Sequence, residues 1–415
     1  MRTIVFISGR AMNDALGAAG RAHRVIFENL GYEFLDLNLA NSGSQEMLDN
    51  ALKSGLIEFA YSAAGMGTDM QVRMSDGSPR NCWEALGIPF ISLKGDSPAY
   101  FFARHVMQSP WHACLYFFPD HLAFRKRLPL TRALYGVVPP MPFDLTDKSK
   151  VDFRKKERGT LLFLKNGNDP ERLVQIWRET LPTGTFLTLT ELAGQLAGDL
   201  TSESGFDIDA IVTKHFASKG WDIGEFINLR LLFVAQLDDY LRRIKSELVA
   251  DVIADFPVEI HGFNWEHMDF TRRRATFVPG GDYTASRQLI LDSLGMIDMS
   301  PNTQLAPHDR VMRAFGLHTF CLTNEQRFFT DNFKNPETFC YKFDRDELRE
   351  KVANVLARPK DHVEIGRALA AEFQLHRQPG DFGQFMVDTA SHVRLACGRR
   401  PEGLQDFFVW PPQLG

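Results

Sequence analysis

Three clusters of polar residues, each placed where an apolar run stops, carry most of the chemistry this chain can offer. The first, Asn302, Thr303, His308, Asp309, Arg310 and Arg313, lies inside the stretch from Leu289 to Thr323. The second, Lys165, Asn166 and Asn168, follows the run TLLFL, and the third, His261, Gly262, Phe263 and Asn264, follows PVEI. Cations, amides and a helix start at strand ends suit an anion such as phosphate, which the helix dipole and free N–H groups favour. Asp96 in KGDSP and the pair Asp120-His121 end two earlier runs and are the groups from which a general base would be drawn. Each residue also has a purely structural alternative. A lysine is most often solvated, a histidine at a strand end is often packing, and Asp309 suits a helix N-cap. The two arginines could pair on a helix face, and an aspartate beside proline is a common turn former.

The elements that must position these groups are read from periodicity. In the stretch 289–323, IDMSPN and TFCLT read as buried strands, and HDRVMRAFG carries Val311, Met312 and Phe315 at helical spacing. A parallel strand, loop, helix, strand unit presents its loop at the carboxyl edge of the sheet, where open α/β folds bind ligands. The same alternation opens the chain. TIVFIS is a strand, Asn13 to Leu30 a helix stopped by Gly31, and YEFLDLNL, LIEFAYSAAG, IPFISLKGDSP and HACLYFFPDH are further strands. The loop GRAMNDALG lacks the G-x-G-x-x-G spacing of a dinucleotide fingerprint. Residues 1–150 are therefore expected to form one doubly wound parallel domain, with the basic stretch 147–158 as linker. A second domain, 158–395, repeats the alternation around a helical region at about 189–255, and 396–415 is an aromatic tail expected to dock.

With 415 residues, two domains are the natural division, and a net charge of −5 gives no general nucleic-acid binder. Five scattered cysteines without a C-x-x-C pair signal neither a disulfide framework nor a zinc site, so reduced thiols in the cytoplasm are expected. No run reaches the roughly 18 to 20 apolar residues of a membrane span, and TIVFIS is too short for a signal peptide. Peripheral membrane association and oligomeric state are left open.

The runs VEIHGFNW, SRQLILDSLGMIDMSPN, HDRVMRAFGLHTFCLTNEQRFFTDNF, DRDELREKVANVLARP and IGRALAAEF resemble the carboxyl-terminal domain of the spore-maturation (CgeB-like) branch of group 1 glycosyltransferases. In the first half, GIPFISLKGDSP and the strand end at Asp120-His121 are similar to that branch's acceptor-side domain. The resemblance implies a GT-B fold, with two Rossmann-like domains across a cleft. It also implies a nucleotide-sugar donor as substrate on the second domain and a protein or surface-glycan acceptor on the first. No metal, cofactor or nucleic acid is implied. The terminal segment, with Phe407, Phe408 and Trp410, would cross back onto the first domain.

On that reading Lys165, Asn168, His261, Gly262, Asn264, Asn302, His308, Asp309, Arg310 and Arg313 hold the donor. Asp96, with His121, serves as base if the reaction inverts. One position departs from the family pattern: where a frame like R-V-x-E-A places a ribose-binding glutamate, this chain reads Arg310-Val311-Met312-Arg313-Ala314. An arginine cannot accept a hydrogen bond, so Arg313 is expected to face a phosphate, an acidic sugar or a protein carboxylate. The departure keeps open a catalytically silent GT-B-like binding protein. A Rossmann-type epimerase or oxidoreductase is the second alternative, against which the missing fingerprint counts.

Overall fold

The computed structural model describes residues 2–9, 15–74, 77–106, 109–129, 131–139, 144–200, 207–375, 379–397 and 407–409. Its strands are β1 (Thr3–Ser8), β2 (Glu33–Asn38), β3 (Ile57–Ala63), β4 (Gln71–Arg73), β5 (Pro79–Asn81), β6 (Phe90–Lys94), β7 (His112–Tyr116) and β8 (Leu134–Val137). They continue as β9 (Leu161–Leu164), β10 (Val258–Gly262), β11 (Thr276–Pro279), β12 (Gly295–Ile297), β13 (Phe320–Asn324), β14 (Cys340–Tyr341) and β15 (Phe407–Val409). The chain divides into two compact units, 1–143 with 377–415, and 144–376.

The first unit is a parallel sheet in the order β15-β8-β7-β6-β3-β1-β2. Its strands are continuous apolar runs because helices cover both faces: Ile4 to Ile7 of β1 and Ala113 to Tyr116 of β7 are all buried. The helix Ala15–Asn29 buries Phe27 against Phe59, Tyr61 and Phe34. The helix Pro379–Ala396, which periodicity alone assigns to the second domain, packs here instead. Its Phe382, Phe385, Met386, Ala390 and Val393 join the same core, and Arg394 bonds to Glu58. Backbone pairing of β15 with Tyr135 to Val137 of β8 adds a seventh strand at the sheet edge. Trp410 lies outside the described residues.

One local reading is corrected. The strand expected to run to Asp120-His121 stops at Tyr116, because Pro119 opens the helix Pro119–Lys126 at its first turn, where a missing N–H costs nothing. Strands β4 and β5 pair antiparallel as a separate two-stranded sheet, each too short for an alternating pattern to show.

The second unit is a parallel sheet in the order β11-β10-β9-β12-β13-β14. The stretch 147–158, expected to link the two domains, is docked onto it. Lys156 is buried and donates to the Ile290 carbonyl and the Thr319 hydroxyl, and Lys155 pairs with Asp292. Helices Thr183–Ala197, Ile208–Ser218 and Ile227–Ile253 account for the helical region. The last is 27 residues long. Its carboxyl end, Val249 to Ile253, enters the sheet's core, and the helix also packs on the two shorter helices.

Candidate functional site

Chain order fixes where a ligand should sit in the second unit. From β9 the chain runs outward through β10 to β11, then returns to the opposite side of β9 with β12. The sheet's direction of growth therefore reverses between β9 and β12, and a crevice opens beyond their carboxyl ends. Lys165 is the first residue after β9 and Asp298 the first after β12.

Lys165 is half-buried, and among the described residues its ammonium makes no hydrogen bond or ion pair. Burial, with Arg310 and Arg242 nearby, pushes its pKa down to about 7, although Asp298 and Asp309 pull the other way. A cation that bonds no carboxylate among the described residues and lies near two arginines suits a site for an anion.

The backbone of Lys165 is fixed by close approach. A Cβ on Gly262 would lie 2.1 Å from the Lys165 carbonyl oxygen, and one on Gly167 would lie 2.3 Å from the Trp265 ring. The Trp265 indole N–H donates to the same Lys165 carbonyl at 2.8 Å. Asn166 accepts from the Phe263 N–H at 3.0 Å, and Asn264 donates to Asn168 at 3.2 Å, so the loops after β9 and β10 hold each other. Asn264 adopts φ 62°, which its short amide side chain tolerates. Phe263, 49% exposed, is free to stack on a ring. Gly262→Ala is expected to force these loops apart and cost about 1–3 kcal/mol of stability, read by urea denaturation.

The third side of the crevice is the loop 298–309 and the helix Asp309–Gly316. Asp298 is fully buried and accepts from Arg310 Nε at 2.7 Å and from the Ser300 hydroxyl at 2.7 Å. Burial would raise its pKa, but Arg310, His308 and Ser300 hold it below the usual carboxylate range. Arg310 also donates to the Met299 carbonyl at 3.0 Å, leaving its second terminal nitrogen without a partner among the described residues. The helix is capped by His308, which accepts from the Arg310 N–H, rather than by Asp309. His308 Nδ1 lies 2.5 Å from Asp309 Oδ1. Burial acts to raise the Asp309 pKa, and His308, Arg310 and Arg313 outweigh it, so the carboxyl stays ionised.

The long helix Ile227–Ile253, which sequence reasoning left out of the site, closes the crevice. Asp238, Arg242 and Lys245 lie at helical spacing on one face. Lys245 donates to Asn302 Oδ1 at 2.7 Å, and Asn302 Nδ2 donates to Asp238 at 2.8 Å. Both ends of the Asn302 amide are thus occupied in holding the Pro301 loop to the helix. Charges are spread along this helix, Asp239, Arg243 and Glu247 among them, so its sequence does not single these three out.

Other expected contacts serve the framework. His261 is buried and bonds to Glu259 at 2.9 Å. Arg313, 4% exposed at its side chain, pairs with Asp144 at 2.6 Å and donates to Ser286 and the Tyr283 carbonyl, its guanidinium 3.8 Å over the Tyr283 ring. Of the three anionic partners expected for it, the structure supplies the protein carboxylate. Arg313→Met should therefore lower stability by about 2–3 kcal/mol, the worth of charged hydrogen bonds, and leave donor affinity within about twofold. Paired denaturation and titration would check both halves.

In the first unit Asp96 is exposed just beyond β6. His121 is buried in the first turn of its helix, edge-on to Phe118 with ring centroids 5.0 Å apart, a packing position rather than a presented base. Among the described residues no group of three or more His, Cys, Asp or Glu could hold a metal ion, and no helix is long and apolar enough to cross a membrane. Cys82, Cys114, Cys321 and Cys340 are buried free thiols.

No family model matches the chain, and no curated protein matches it in sequence. Solved structures do match in fold. A DNA-modifying β-glucosyltransferase, described with and without uridine diphosphoglucose, aligns with TM-score 0.51 and 11% identity over 94% of this chain and 100% of its own. HepE from Anabaena, described with UDP-glucose, gives TM-score 0.51 and 10% identity over 94% and 100%. An α-glucosyltransferase described with UDP and a 13-mer DNA gives 0.50 and 10% over 94% and 99%. At such identities the likeness is one of fold, and it spans nearly the whole chain. Two parallel α/β units, each with its own core, give this chain the fold of the GT-B glycosyltransferases.

Proposed function

We propose that this chain is a glycosyltransferase that takes its sugar from a uridine-diphosphate donor held in the second unit. The observation that carries the proposal is Lys165, an ammonium that bonds no side chain or carbonyl among the described residues, at the β9/β12 reversal and near Arg310. A leaving diphosphate needs positive charge placed before the bond breaks, and these two cations with the start of the helix Asp309–Gly316 supply it without a metal ion. Phe263 would stack on the base, and the Asn166 and Asn168 loop would line the sugar-phosphate. The uridine choice leans on the fold neighbours, two of which are described with UDP-glucose. A protein or surface-glycan acceptor, a cytoplasmic setting and the CgeB-like branch are the finer parts of the same proposal. Asp96 is its candidate base, used if the anomeric centre is inverted.

The silent-binder alternative drew on Arg313, and Asp144 now accounts for that residue within the protein. Calorimetric titration and donor hydrolysis test the reading together. UDP-glucose at a hundredfold excess over Kd should stabilise the protein by about 2.7 kcal/mol, with slow release of glucose. Stabilisation without turnover on any acceptor would favour the binder, and no stabilisation by any nucleotide sugar would overturn the proposal.

A further inference from the structure

Lys94 and Arg125 of the first unit are 1% and 0% exposed, yet among the described residues neither pairs with a carboxylate. Buried charges normally do. Instead, Lys94 donates to the Arg104 carbonyl at 2.6 Å, and Arg125 Nε to the His105 carbonyl at 3.3 Å. The other Arg125 nitrogens reach the Pro129 carbonyl at 2.7 Å and the Tyr135 hydroxyl at 2.8 Å. His105 is held again through Nδ1 to the Tyr116 hydroxyl at 3.0 Å. Two buried cations and two tyrosines thus grip one short turn, Phe102–His105, from beneath.

What the gripped turn presents is Phe101. Its side chain is 66% exposed, and its backbone sits at φ 53°, a left-handed conformation that costs a bulky residue and suits glycine. The Arg104 guanidinium lies 4.9 Å from its ring centroid and fixes the ring's setting. Strain and apolar exposure together, on a loop made rigid from below, mark a position kept for contact with a ligand. The loop begins at the carboxyl end of β6 with exposed Asp96.

We propose that Phe101 is a stacking platform for a carbohydrate acceptor, receiving the C–H face of a pyranose ring while Asp96 accepts hydrogen bonds from its hydroxyls. This rests on the glycosyltransferase reading above and narrows its acceptor to a carbohydrate. An aromatic face is electron-rich and attracts the polarised C–H bonds of a sugar. A nucleic-acid backbone is disfavoured here: Asp96 is the exposed anion of the loop, Lys94 is turned inward, and Arg104 lies on the ring.

The test uses the full chain, an array of defined oligosaccharides on aliphatic linkers read with and without UDP, a plain DNA duplex, and UDP-glucose titration. The unaltered chain should bind a subset of the array. Phe101→Ala should weaken that binding about fivefold or more, the size of one aromatic contact, while Phe101→Trp retains it. Phe101→Gly should weaken it equally yet unfold at the same or a higher temperature, because glycine relieves the left-handed strain. UDP-glucose affinity should be unchanged in all three. The proposal is overturned if the unaltered chain binds no oligosaccharide, if Phe101→Ala binds the array as well as the parent, or if only duplex binding responds. Failure of the unaltered chain to bind UDP-glucose, with the array still Phe101-dependent, counts against the donor reading and not against the platform.

Discussion

Lys165→Met is expected to weaken UDP-glucose binding by about 10- to 100-fold while leaving the ligand-free protein at least as stable as before. The first half follows from losing a charge-assisted hydrogen bond to phosphate in a partly desolvated site, worth about 1.5–3 kcal/mol. The second half follows from linkage. The folded pKa of Lys165, about 7, lies below that of an unfolded lysine. Between those values the unfolded chain binds more protons, so stability rises with pH. The charged ammonium therefore costs stability below about pH 7, and that cost fades as pH rises toward the ordinary lysine range. Removing it with an isosteric apolar side chain should raise the melting temperature at pH 6 more than at pH 9, as calorimetry would show. A lysine that merely decorated the surface would show neither effect.

The second large effect belongs to Asp298, whose carboxylate is fully buried against Arg310. Asp298→Ala leaves a guanidinium uncompensated in that crevice and should cost about 3–5 kcal/mol in urea denaturation. Because the Asp298 pKa is held below its unfolded value, its contribution is complete above the usual carboxylate range and is lost as pH falls through the folded pKa. The acid limb of the stability curve should accordingly flatten in the variant. A loss below about 1 kcal/mol would mean that Arg310 is held by something other than this pair.

The alternation of strands and helices was legible because parallel strands buried on both faces are written as unbroken apolar runs. Lys165 was legible for the same reason, since a lysine directly after such a run must emerge at the sheet's carboxyl edge. Which strand end mattered was not. The reversal between β9 and β12 is a property of strand order, and residues 161–164 and 295–297 carry no mark of being neighbours. Asp298, read as part of a strand, is instead the buried counter-charge of Arg310. Arg313 shows the limit of reading one position against a family pattern. Its partner Asp144 is 169 residues away in sequence, and no local signal joins the two. The same holds for Asn302, whose amide looked available to a ligand until the helix Ile227–Ile253 brought Asp238 and Lys245 to both of its ends. The basic run 147–158 reads as a linker between domains, but Lys155 and Lys156 of that run are anchored within the second unit by Asp292, Ile290 and Thr319.

The affinity for UDP-glucose as a function of pH tests the central claim most directly, because the diphosphate of this ligand takes up no proton near neutrality. If Lys165 is the donor's phosphate contact, it is already charged below about pH 7, and above that it must gain a proton as the ligand binds. Affinity should then be flat below about pH 7 and fall about tenfold per pH unit above it, with one proton taken up per ligand bound in basic buffer. Lys165→Met should bind weakly and without that slope. An affinity independent of pH across about pH 6 to 9, shared by Lys165→Met, would contradict the account.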